Sequence, residues 1–191
     1  MKLHFPIYQG ILKRVIGHVK AVDGVSFKLR EGEVLGLVGL RGAGQESVAR
    51  ALFGAETASG EVKLDDKPLD MASPEAALKQ GVGLIARDRT EESVAPALAI
   101  RENMFLNPFA IGRSLRSILS PSAEARRALG IGEEVGLRPN DPALAIEALS
   151  GGNQQKVVVG RWLATGRRLL IAEDPTAGVD VGAKSEIYRL V

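Results

Sequence analysis

Two kinds of apolar pattern alternate along this chain of 191 residues. In residues 19–29, Gly24, Ser26 and Lys28 alternate with Val25, Phe27 and Leu29. That period predicts an antiparallel strand closed by the Glu31-Gly32 turn. Residues 34–38, 82–85 and 169–172 are instead short continuous apolar runs, which predict strands buried on both faces. Residues 59–64 read as a turn and a second antiparallel strand. Helical patterns fill the intervals. One runs from about 44 to 53. Another opens with a capping Ser73, Pro74 in the first turn and Glu75, and ends near Gly81. The span 100–136 reads as a mostly helical insertion broken at Pro108 and Pro121. A helix is expected over 152–165, ended by Gly166, and another begins at Gly182. The residues before about 19 show no such period and read as irregular. Buried strands separated by loops and helices imply an α/β core with a parallel sheet.

The length suffices for one domain, or one domain with a small subdomain. Charge is nearly balanced, with 25 basic and 23 acidic residues. No single-sign run points to nucleic acid, and no nucleic-acid partner is expected. Cysteine is absent, so there is neither a disulfide framework nor a thiolate metal site. His4 and His18 are the two histidines, both in the stretch read as irregular, which argues against zinc. No apolar run approaches the ~20 residues of a membrane span, and no continuous apolar segment near the start marks a signal peptide.

Three segments carry candidate chemistry. The first follows the run at 34–38: Gly39-Leu40-Arg41-Gly42-Ala43-Gly44-Gln45-Glu46-Ser47. A strand, a glycine-rich turn and a helix form a phosphate cradle, with backbone N–H groups pointing inward. The spacing fits G-x-x-x-x-G-K-[ST] through Gly44 and then departs. Gln45 stands where Lys reaches the β/γ-phosphates, and Glu46 where Ser or Thr holds Mg²⁺. Losing the charged hydrogen bond costs about 1.5–3 kcal/mol. A carboxylate about 4 Å from a phosphate adds repulsion on the order of 4 kcal/mol at an effective dielectric near 20. Two escapes exist: Glu46 can turn away, or it can ligate the metal itself.

The second segment is the end of the run at 169–172, where Glu173 and Asp174 precede Pro175-Thr176. Acids at the C-terminal edge of such a strand sit where α/β folds place ligand chemistry. The usual order is Asp for metal, then Glu for water; here it is reversed. A shortened base reaches its proton poorly. The third segment is Leu149-Ser150-Gly151-Gly152-Asn153-Gln154-Gln155-Lys156. Ser150 can cap the helix that follows, and its glycines let a phosphate approach the backbone.

The run 149–156, the strand end 173–176 and Ala177-Gly178-Val179-Asp180-Val181-Gly182-Ala183-Lys184 together resemble the nucleotide-binding domain of ABC transporters. More narrowly, they resemble the second ATP-binding half of the fused ATPases that power simple-sugar importers of the ribose, galactose and xylose type. Gly83-Leu84-Ile85-Ala86-Arg87-Asp88-Arg89 and Ile100-Arg101-Glu102-Asn103-Met104 resemble that subfamily's region after the Q-loop, with Arg87 where the family has Gln or Glu. The resemblance covers about residue 19 onward. Phe5-Pro6 and residues 17–27 instead resemble peptide-importer ATPases, in which an aromatic near Phe5 would stack on adenine. The family's switch histidine follows the D-loop and has no counterpart up to Val191, so the chain reads as a C-terminally truncated cassette.

The resemblance implies a P-loop NTPase core of ABC type with an antiparallel β subdomain and a helical subdomain at about 100–165, all within one domain, 1–191. It implies ATP and Mg²⁺ as cofactors, both weak at the chain's own site. Gly39, Arg41, Gly42, Ala43, Gly44, Gln45, Glu46 and Ser47 would contact nucleotide. Glu173 and Asp174 would be catalytic, and Glu46, Ser47 and Glu173 would face the metal. Ser150, Gly151 and Gly152 would complete the ATP site of a second, head-to-tail half, which Asp180 would also contact. The helical insertion, with Glu102 and Asn103 near its start, would dock a membrane permease subunit, and a solute-binding protein would act upstream. The place implied is the cytoplasmic face of the cell membrane. The alternatives are an autonomous ATPase with Asp174 as base, a peptide-importer ATPase, and an inert or regulatory module.

Overall fold

The computed structural model describes residues 2–9, 14–40, 42–106 and 120–191, with backbone alone for the two N-terminal strands. Arg41, Pro108 and the rest of 107–119 lie outside the described residues. The chain forms two compact units, Met1–Gln80 and Gly81–Val191.

In the first unit, β1 (Lys2–Gln9) and β2 (Arg14–Asp23) pair antiparallel, with register shifts after Leu3 and Ile7. The stretch expected to be irregular is therefore a two-stranded ribbon. The predicted strand over 19–29 is correspondingly displaced toward the N-terminus. Its ladder has its last described pair at Lys2 and Asp23, and Gly24 turns away at φ 86°. Alternation alone does not make residues 24–29 a strand, and among the described residues they join no ladder.

The expected buried strand at 34–38 is also absent. Residues 33–39 join no ladder among the described residues, and Val34 and Val38 are 86% and 97% exposed. Continuous apolar character marks residues fit for burial; it does not provide the strands that cover them. Helix α1 (Gln45–Leu52) buries Val48 and Ala51 against Val25, Leu52 and Ala58. The strand expected at 59–64 shrinks to β3 (Lys63–Leu64), paired with β4 (Lys67–Pro68). Asp65 and Asp66 both take positive φ, 50° and 61°, as a two-residue hairpin turn demands. Helix α2 (Pro74–Lys79) is capped as expected, with Ala76 N–H donating to Ser73 Oγ at 3.2 Å.

The second unit holds β5 (Val82–Ile85) parallel to β6 (Leu169–Ala172), in the register Val82 with Leu169 through Ile85 with Ala172. Val82 and Ile85 are fully buried. Leu169, Leu170 and Ile171 are only half-buried and Ala172 is exposed, so β6 is less covered than its apolar run predicts. After the short helix α3 (Arg89–Glu92) comes α4 (Ile100–Met104). Pro121 marks a helix boundary, as expected. It occupies the first turn of α5 (Pro121–Glu134), where its missing N–H leaves nothing unpaired.

Helix α6 (Gly151–Leu163) crosses this unit, and Val157, Val158 and Val159 are all fully buried. A helix buried on successive positions lies inside a core rather than on its surface. Around it, Ile100, Met104, Ile131, Val135, Ile146 and Leu149 form one apolar cluster with Val157. Gly160 lets α5 come close, since a Cβ there would lie 2.8 Å from Ile131. Helix α7 (Val181–Leu190) follows, capped by Asp180.

Candidate functional site

The phosphate loop belongs to the first unit. Gly42 and Gly44 adopt φ 83° and 96°, which L side chains disfavour, so the glycine spacing is a backbone requirement. Gly44 opens α1 without a side-chain cap. Gln45 does not project from the loop. Its Nε2 donates to Leu40 O at 3.4 Å, and Ala43 N–H donates to the same carbonyl at 2.9 Å. Its Oε1 is buried with no hydrogen-bond partner, 2.9 Å from where a Gly39 Cβ would lie. The side chain thus folds back across the loop, with its acceptor oxygen buried. Glu46 is exposed in the first turn of α1. There its charge suits the helix dipole while opposing an incoming phosphate. Ser47 is half-buried on the same helix.

The other segments belong to the second unit. Glu173 follows β6; it is 7% exposed and its N–H donates to Ile85 O at 2.9 Å. Asp174 is exposed and takes φ 43°, a left-handed conformation unusual outside glycine. Thr176 is buried, its hydroxyl 3.1 Å from the Tyr188 hydroxyl. Among the described residues, no three His, Cys, Asp or Glu side chains converge to hold a metal ion. Glu46, in the first unit, is exposed, and Glu173, in the second, is buried.

The signature turn is built more tightly. Ser150 Oγ caps α6, accepting from Asn153 N–H at 3.4 Å and from Asn153 Nδ2 at 3.0 Å. Asn153 Oδ1 accepts from Arg138 N–H at 3.0 Å. Ser150 is exposed, and the glycines after it have a second reason to lack side chains. A Cβ on Gly151 would lie 2.6 Å from Arg89 Nη2, and one on Gly152 would lie 2.6 Å from Ala183 Cβ. Asp180 Oδ1 accepts from Ala183 N–H at 3.0 Å, and its Oδ2 lies 3.4 Å from the Gly152 Cβ position. The structure therefore brings Ser150, Gly151, Gly152 and Asp180 to one corner.

Further contacts anchor this corner. Gln154 Nε2 donates to Ile146 O and Leu149 O, both at 3.2 Å. Lys156 is 6% exposed, donates to Gly136 O at 2.8 Å and pairs with Glu186. That hydrogen bond and charge, with help from Arg138 and Arg189, hold the Glu186 carboxyl below its ordinary range. Arg161 donates to Asn103 O and Ser93 O, both at 2.8 Å, and burial pulls its pKa down to about 10. Asn103, expected near a docking surface, is fully buried. It accepts from Ala95 N–H at 2.8 Å and donates to Ala95 O at 3.0 Å, so it clips the chain before α4. Glu102 accepts from Ala99 N–H at 2.7 Å and serves the same turn.

Sequence reasoning gave Arg89 and Gln154 no role. Arg89 bonds Gln154 and Ala177, 65 and 88 positions away in sequence, and neither residue type announces such a contact.

The family description "ABC transporter" matches residues 22–177. The chain belongs to that family. It is 43% identical over 166 residues to the ribose import ATP-binding protein RbsA of Burkholderia mallei, an alignment spanning 86% of this chain and 33% of that protein. It is 41% identical to the corresponding Pseudomonas putida protein, over 93% of this chain and 35% of that one. The chain thus spans about a third of the length of these curated relatives. Among solved structures, a dimeric post-hydrolysis state of the ATP-binding cassette MJ0796 bound to ADP and Pi matches with TM-score 0.76 at 23% identity. That match covers 98% of this chain and 78% of the other. The fold is the ABC-type P-loop NTPase fold. No described helix is long and apolar enough to cross a membrane.

Proposed function

We propose that this chain is one ATP-binding cassette of an ABC importer for a simple sugar, and that it lends its signature corner to ATP held by a second half. The observation carrying this reading is the contrast between a well-anchored Ser150-Gly151-Gly152 turn and a phosphate loop across which Gln45 folds back. The helix start at Ser150 offers backbone N–H groups and a positive dipole end to a phosphate. The chain's own loop offers a neutral amide in place of an ammonium, beside the Glu46 carboxylate. It holds ATP weakly, and Glu173 with the shortened Asp174 hydrolyses it poorly. Relatives that cover nine-tenths of the chain act in ribose import, which supports a sugar over a peptide as cargo. Under this reading the chain is a single cassette with its helical subdomain at 100–165, working beside permease subunits and a solute-binding protein at the cytoplasmic membrane face.

Equilibrium binding of ATP, with and without Mg²⁺, to the native chain and to Gln45→Lys/Glu46→Ser tests the reading. Weak binding by the native chain and a clear gain in the doubly substituted one support it. Tight, Mg²⁺-dependent binding by the native chain contradicts it and makes an autonomous ATPase the better account.

A further inference from the structure

Arg89, the first residue of α3, reaches two segments distant in sequence. Its Nε donates to Gln154 Oε1 in α6 at 3.2 Å, and its Nη1 donates to Ala177 O at 3.1 Å. The guanidinium lies between two glycines. Nη2 is 2.6 Å from the Gly151 Cβ position, and Nη1 is 3.5 Å from that of Gly178, whose φ is +64°. Gly178 O lies 3.2 Å from the same Gly151 Cβ position, so signature turn and following loop touch where the guanidinium holds them. Gln154 passes the restraint on, since its own amide donates to Ile146 O and Leu149 O ahead of Ser150. Helix electrostatics do not explain the arrangement, because a cation beside the first turn of α6 opposes the dipole. A planar fork with donors in fixed directions does explain it, because two acceptors in different segments are held at one relative angle.

We infer that Arg89 is a positioning residue that fixes the Ser150-Gly151-Gly152 turn and the loop leading to Asp180 as one unit. This rests on the proposed function for its consequence, since both segments then face the partner's ATP. The placement itself is a property of this chain alone. Arg89 acts through Gln154 and the Ala177 carbonyl, and no contact between Arg89 and nucleotide is required.

Amide hydrogen exchange on the native chain, Arg89→Gln and Arg89→Lys tests the placement. The reporters are Asn153 and Gln154, bonded to Ser150, and Ala177 and Val179, bonded to Asp174 and Thr176. Both pairs exchange at least about tenfold faster in Arg89→Gln, while Val135 at the end of α5 is unchanged. Lys carries the charge without the fork, so it restores at most one pair. Gly151→Ala is a second variant: its Cβ displaces the guanidinium, and Ala177 and Val179 loosen although neither is altered. Loosening of one pair only, of neither, or of α5 together with both would overturn the inference. In the assembled pair of halves, Arg89→Gln lowers kcat about tenfold with KM nearly unchanged, as loss of an interaction realised in the transition state does. Ser150→Glu measured alongside separates the two ideas. Turnover that survives it defeats the proposed function, while the exchange result still decides the role of Arg89.

Discussion

The phosphate loop and the signature turn are both glycine-rich lead-ins to a helix, yet they are held in different ways. In the loop, Gly42 and Gly44 set the backbone by their positive φ, and a side-chain hydrogen bond runs from Gln45 to Leu40 O. In the signature turn, Gly151 and Gly152 are spaces that Arg89 and Ala183 fill, and Asn153 and Gln154 accept hydrogen bonds from Arg138 and Arg89 in other segments. The loop's glycines answer to its own backbone, whereas those of the turn answer to the groups packed against them. A substitution at Gln45 is expected to change what the loop binds more than how the first unit packs. A substitution in the signature corner disturbs several elements together.

The largest effect is expected on the signature side. Arg161→Ala leaves Asn103 O and Ser93 O without their buried donor and costs about 2–5 kcal/mol, read from urea unfolding. Gly152→Ala forces a Cβ to within 2.6 Å of Ala183 Cβ. Such overpacking costs about 1–3 kcal/mol, measured the same way. On the loop side, Gln45→Lys tightens ATP binding about tenfold, or ~1.4 kcal/mol by calorimetry, while the unfolding midpoint hardly moves. The smallest effect concerns acid. Lys156 lowers the folded-state pKa of Glu186, so the stability this pair supplies is present above the ordinary carboxylate value, 4.5, and is lost as pH falls through the depressed one. Thermal midpoints of the native chain and of Glu186→Gln therefore differ at neutral pH and converge in acid.

The same contrast explains which elements could be read from sequence. Helix α2 was legible because Ser73, Pro74 and Glu75 act within one turn, and α6 because Ser150 caps it locally. Strand β5 was legible because an apolar run found a parallel partner in β6. The identical signal at 34–38 produced no ladder, since pairing depends on neighbours that the run does not specify. β1 and β2 were missed for the opposite reason: their backbone pairing shows no simple period, and two register shifts interrupt it. At the site, the departures at Gln45 and Glu46 were plain in the sequence. That Gln45 folds onto Leu40, that Asn103 is an internal clip, and that Arg89 spans two loops are facts of tertiary geometry.

If this chain works through Ser150, Gly151 and Gly152 rather than through its own loop, the partner's ATP site depends on Ser150. ATP turnover by the partner half, assembled with either the native chain or Ser150→Glu, tests it most directly. Ser150→Glu, by setting a carboxylate against the phosphate, is expected to lower turnover at least about a hundredfold. Turnover equal to that of the native assembly would contradict it.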